Sequence, residues 1–87
     1  MLHRPAGILV TGLERSEATR KLLDKGVAQC AKKFGEEAIE TVIAACGEDT
    51  SALTNEAADT LYHLLVLLES RGVALADVLD VLERRMA

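Results

Sequence analysis

Residues 34–70 read FGEEAIETVIAACGEDTSALTNEAADTLYHLLVLLES, and they hold eight carboxylates with no Lys or Arg. Five of the eight form two clusters, Glu36-Glu37-x-x-Glu40 and Glu56-x-x-Asp59. Like charges three and four residues apart on a helix repel by roughly 0.2–0.5 kcal/mol per pair. A purely structural segment would offset them with interspersed bases. Here they sit unrelieved among Ala, Ile, Val and Leu, which points to a cation supplied from outside the chain.

Helical spacing gives the clusters a geometry. At about 100° per residue, Glu36, Glu37 and Glu40 share one arc of about 100°. Ala38, Ile39, Val42, Ile43 and Ala45 take most of the remaining circumference, so this helix is expected to be buried on its other sides. Glu56 and Asp59 lie one turn apart on a stripe that continues to His63, in a helix otherwise rich in Leu61, Leu64, Leu65, Val66, Leu67 and Leu68. The short turn Gly47–Asp49 makes the two helices antiparallel neighbours. Folding the chain about residue 48 sets Glu40 opposite Glu56 and Glu37 close to Asp59, each roughly 12–17 Å from the turn. Four carboxylates at one level of one hairpin suit a hard divalent cation, Mg²⁺ or else Mn²⁺. The competing reading is a solvated acidic face, with Lys32 and Lys33 pairing to Glu36 and Glu37 four residues on. Glu56 and Asp59 have no Lys or Arg within four residues on either side, which favours the metal.

The chemistry narrows further by exclusion. A ferritin-like di-iron site needs Glu-x-x-His pairs, whereas this chain has Glu-x-x-Asp with His63 four residues later, a supporting rather than a ligating position. No phosphate-binding glycine loop and no nucleophile triad is present. A cation held by carboxylates, with the rest of its shell left to water and phosphate, implies phosphoanhydride or phosphate-ester chemistry.

The rest of the chain reads as all-α. Residues 1–15, interrupted by Pro5, Gly7 and Gly12, are expected to be irregular, and residues 16–87 to form the helical domain. A short helix runs from Ser16, its N-cap, to about Asp24, burying Leu22 and Leu23, and breaks at Lys25-Gly26. The second spans about Val27–Cys46 and stops at Gly47 in a left-handed conformation. Gly35 within it implies close approach of a backbone or ligand. The third starts at Asp49 or Thr50 and ends at Gly72; the fourth, Leu75–Arg85, carries the stripe Leu75, Val78, Leu79 and Leu82.

Of the 14 acidic residues eight lie in the quoted stretch, so six acids face all ten bases elsewhere, for a net charge of −4. An acidic middle with basic flanks does not make a nucleic-acid surface. It fits a metal site with cations nearby for an anionic substrate. No apolar run is long enough to span a membrane, and Gly7-Ile8-Leu9-Val10 is too short for a signal-sequence core. Cys30 and Cys46 have neither redox nor zinc spacing and read as buried free thiols of a cytoplasmic protein. With one Phe, one Tyr and no Trp in 87 residues, the aliphatic core is thin. Helical faces left uncovered call for at least a homodimer.

The paired motifs resemble those of the all-α nucleoside triphosphate pyrophosphohydrolase (MazG-like) superfamily. The likeness is greatest to the phosphoribosyl-ATP pyrophosphatase family of histidine biosynthesis. It is carried by Leu22-Leu23-x-Lys25-Gly26, by Lys32-Lys33-x-Gly35-Glu36-Glu37-Ala38 and by Glu56-Ala57-Ala58-Asp59-x-Leu61-Tyr62-His63-Leu64-Leu65-Val66-Leu67-Leu68. Arg71-Gly72-Val73 and Asp77-Val78-Leu79 extend it, so that it covers residues 16–85. The resemblance implies Mg²⁺-dependent hydrolysis of 1-(5-phospho-β-D-ribosyl)-ATP to its AMP counterpart and pyrophosphate. On that reading Glu37, Glu40, Glu56 and Asp59 hold metal, and Glu36 orients or deprotonates the water, with Glu37 sharing the catalytic role. Lys25, Lys32 and Lys33 meet substrate phosphates, and His63 supports the ligands. Two rival functions are a house-cleaning nucleoside triphosphate pyrophosphatase and a non-catalytic acidic helical dimer that binds a basic partner.

Overall fold

The structure, a computed structural model, describes residues 16–87; the irregular segment expected over 1–15 lies outside the described residues. Four helices and no strand occur among the described residues: α1 (Glu17–Asp24), α2 (Val27–Gly47), α3 (Thr50–Ser70) and α4 (Leu75–Met86). The all-α class and the central hairpin match the expectation.

The start of α1 follows from Ser16, whose Oγ accepts from the Thr19 amide at 3.5 Å, and from Glu17 in the first turn, where the helix dipole favours an acid. Its docking differs from the sequence reading. Leu22 and Leu23 are only half-buried, and Thr19 is the residue fully enclosed. The reason is a polar contact. Thr19 Oγ1 and the Tyr62 hydroxyl of α3 lie 2.7 Å apart, so the most enclosed side chain of α1 is one hydrogen-bonded to the hairpin.

Gly26, with φ +92°, turns the chain from α1 into α2. At the far end of α2 the expectation fails. Gly47 remains helical without a positive φ, and the reversal falls to Glu48, which is extended while its amide still bonds the Ala44 carbonyl. The Ala44 carbonyl near the end of α2 thus finds a partner without a left-handed residue. Asp49 then caps α3, its Oδ1 accepting from the Ala52 amide at 2.8 Å. The end of α3 does use a left-handed glycine. Gly72 has φ +68°, with Gly72 N–H on the Glu69 carbonyl and Val73 N–H on the Leu68 carbonyl, the paired bonds of a Schellman stop.

Most packing is between α2 and α3, with α1 laid across them. Among the described residues the buried apolar ones are Cys30, Ala44, Leu65 and Val66. Two expectations of burial do not hold within this chain. On α2, Ile39, Val42 and Ile43 are each more than half exposed, because the side turned to α3 is the one that carries Glu37, Thr41 and Ala44. Cys46 is exposed for the same reason, while Cys30 is buried, its thiol donating to the Leu22 carbonyl at 3.3 Å. The stripe on α4 forms, yet no residue of α4 is buried. Gly35 has open space within 4 Å of where a Cβ would stand, so no close approach occurs there among the described residues.

Candidate functional site

The hairpin register is visible in its hydroxyl contacts. Thr60 Oγ1 on α3 donates to the Glu37 carbonyl on α2 at 2.8 Å, and the Thr41 and Thr60 hydroxyls lie 2.6 Å apart. This alignment puts Glu37 beside the turn of α3 that carries Glu56 and Asp59. Carboxylate oxygens of the three lie within 4.8 Å of one another.

Their environments differ. The Glu37 side chain is 12% exposed and pairs with Lys33, one turn earlier, at 3.5 Å. The pairing that the solvated-face reading expected is therefore real for Glu37. Asp59 is exposed, Glu56 half-buried. Neither makes a salt bridge among the described residues, and Glu56 Oε2 is buried with no hydrogen-bond partner. An unsatisfied buried acceptor costs about 1–3 kcal/mol, more when charged. Three converging carboxylates, one with an orphaned oxygen, form an oxygen donor set that suits a hard divalent cation. The residues fit such a group.

Glu40, expected in the same cluster, is exposed and stands apart from that trio. It lines an open cleft with Ile43, Glu48 and Glu56, so Glu56 connects it to the group. Glu36, also exposed, lines a second cleft with Lys25, Lys32 and Lys33. The three lysines singled out in the sequence thus gather in one place, and Lys33 joins their cleft to the carboxylates through Glu37. A cation-attracting group and an anion-attracting cleft thus stand side by side, linked by the Lys33–Glu37 pair on α2.

His63 is buried one turn beyond Asp59. Burial pushes its imidazole below the ordinary value of 6.5; the Glu37 carboxylate opposes this, Lys33 adds to it, and Asp59 opposes it. The ring stands edge-on to Tyr62, centroids 5.0 Å apart. Thr41 and Thr60 were not legible as site residues. Isolated threonines in an apolar helix break no pattern, and only the observed register makes them neighbours of Glu37.

Residues 12–86 match the family model described as phosphoribosyl-ATP pyrophosphohydrolase. The chain is 61% identical over 70 residues to a phosphoribosyl-ATP pyrophosphatase of Dinoroseobacter shibae, covering 80% of this chain and 69% of that one. It is 61% identical over 67 residues to phosphoribosyl-ATP pyrophosphatase 1 of Bradyrhizobium diazoefficiens, covering 77% and 63%. Against phosphoribosyl-ATP pyrophosphatase 1 of Rhodopseudomonas palustris it is 59% identical over 70 residues, covering 80% and 65%. The chain spans about two-thirds of the length of these relatives.

Proposed function

The chain belongs to the phosphoribosyl-ATP pyrophosphohydrolase family, and on that premise we propose that it hydrolyses 1-(5-phospho-β-D-ribosyl)-ATP to 1-(5-phospho-β-D-ribosyl)-AMP and pyrophosphate, the second step of L-histidine biosynthesis. The observation that carries the reading is the convergence of Glu37, Glu56 and Asp59 beside the lysine cleft, in a chain of this family.

Glu37, Glu56 and Asp59 would hold Mg²⁺, with Mn²⁺ as a substitute, and Glu40 would add a carboxylate from the neighbouring cleft. When bound, the cation offsets the negative charge that builds on the departing pyrophosphate. Lys25, Lys32 and Lys33 draw in the phosphates and fix their position, which lowers the entropy cost of bringing water in line. Glu36, exposed in the same cleft, orients the attacking water and accepts its proton. The water oxygen forms the new P–O bond as the anhydride between α- and β-phosphates breaks. Glu37 serves both halves: its carboxylate faces the other two acids while its ion pair holds Lys33 at the edge of the lysine cleft. His63 lies one turn beyond Asp59, and burial shifts it toward its neutral form, which limits the positive charge that would compete with the metal.

The exposed Ile39, Val42 and Ile43 support a homodimer. Among the described residues no helix is long and apolar enough to cross a membrane. The two free cysteines fit a cytoplasmic enzyme.

The test is pyrophosphate release from phosphoribosyl-ATP, dUTP and dCTP measured side by side with Mg²⁺. Phosphoribosyl-ATP is expected to be preferred, and Glu40→Gln and Asp59→Asn each to lower turnover at least about 100-fold in a folded protein. Preference for a simple triphosphate would replace this reading with the house-cleaning one. No hydrolysis of any of the three would favour a non-catalytic acidic dimer.

A further inference from the structure

Three short contacts meet around the Glu37 carbonyl oxygen: Thr60 Oγ1 at 2.8 Å, Thr41 Oγ1 at 3.1 Å, and the two hydroxyl oxygens 2.6 Å from each other. Two hydroxyls carry only two protons, so all three contacts cannot be hydrogen bonds at once. A carbonyl has two lone pairs, and the α-helical ladder of α2 already uses one. The arrangement that fills the shorter contacts has Thr41 donating to Thr60 Oγ1 and Thr60 donating to Glu37. Thr60 then both accepts from and donates to α2.

We infer that Thr60 is a positioning residue, whose donation to the Glu37 carbonyl holds the Glu37 carboxylate in register with Glu56 and Asp59. Thr60 directly follows Asp59 in sequence. One hydrogen bond therefore joins the backbone bearing one carboxylate to the segment bearing another. A slip of one residue along a helix moves a side chain about 1.5 Å and rotates it about 100°, enough to take Glu37 out of a group whose oxygens lie within 4.8 Å. Mutual repulsion of the three acids favours such a slip when no cation is bound. Apart from the Thr41 hydroxyl bond to Thr60 itself, no other hydrogen bond joins α2 to α3 near the carboxylates among the described residues.

The inference rests on the reading of Glu37, Glu56 and Asp59 as the metal group. The test is Mn²⁺ binding by electron paramagnetic resonance on the full chain, with helicity and thermal midpoint measured in EDTA. Thr60→Val, which keeps the shape and removes the donor, is expected to weaken Mn²⁺ binding about tenfold. Thr60→Ser is expected to restore it to within about twofold. Thr41→Val, which leaves the Thr60 donation in place, is expected to stay within about twofold of the unmodified protein. Thr60→Ala is the second variant should the valine variant not fold, with the same expected loss. Activity of the Thr60 variant should be low at limiting Mn²⁺ and recover at saturation, which a general loss of structure would not do. Wild-type affinity in a folded Thr60→Val or Thr60→Ala protein would overturn the inference. So would equal losses in Thr60→Val and Thr41→Val. Failure of the unmodified protein to hydrolyse phosphoribosyl-ATP, with the Thr60 effect on Mn²⁺ intact, would remove the proposed function and leave Thr60 its role.

Discussion

Burial shifts His63 toward its neutral form, and that has a consequence for stability. The unfolded imidazole titrates near 6.5, while burial in the fold pushes it lower despite the opposing Glu37 and Asp59 carboxylates. Between the two values the unfolded chain binds more protons, so stability falls as the pH is lowered. The contribution is fully present above about pH 6.5 and is lost as the pH drops through the folded value. Urea unfolding of the metal-free protein at pH 7.5 and 5.5 should therefore show weakening on acidification, and His63→Gln should reduce the difference. An imidazole that titrates at or above 6.5 by proton NMR in the folded protein would contradict this. The acids were legible at this scale because eight carboxylates without a base mark themselves by charge alone. Glu36 and Glu37 were not separable on a wheel, and only burial and the Lys33 ion pair set them apart. Cys46 was misread because an apolar neighbourhood in sequence does not reveal which side of a helix its neighbours cover.

Two glycines show how far an element can be read in advance. Gly72 ends α3 at φ +68°, a conformation that costs an L side chain about 1 kcal/mol or more. Gly35 lies inside α2 with open space where a Cβ would stand, and helix-interior Gly costs about 1 kcal/mol relative to Ala. Gly72→Ala should thus destabilise and Gly35→Ala stabilise, each by about 1 kcal/mol, read from denaturant midpoints at constant slope. A destabilising Gly35→Ala would indicate a close neighbour supplied by another subunit. The stop at Gly72 was legible because a left-handed glycine was the right reading there. The one at Gly47 was not, because a glycine after an apolar run looks the same whether the next residue is left-handed or extended. Helix starts fared better: Ser16 carries its acceptor oxygen in the side chain and was read directly, and Asp49 was one of two adjacent cap candidates, the other being Thr50.

At the scale of the molecule, the four buried apolar residues among those described make a thin core. Ile39 is 62%, Val42 63% and Ile43 56% exposed on one helix, and Leu79 and Leu82 are left open on another. Burying such side chains is worth about 1.5–3 kcal/mol each. Sedimentation equilibrium at micromolar concentration should give a dimer, and Ile43→Glu should shift it toward monomer. A stable monodisperse monomer would contradict the homodimer. The hairpin register was legible from one short turn and two acidic clusters, but the incomplete burial of α2 was not, since periodicity identifies an apolar face without saying which chain covers it. The central claim, that α2 and α3 bring Glu37, Glu56 and Asp59 together to hold a divalent cation, has a direct test in titration calorimetry of Mn²⁺ into the folded protein and into Glu56→Gln. The account predicts saturable uptake that Glu56→Gln abolishes or weakens at least about tenfold; no uptake, or uptake unchanged by that substitution, would contradict it.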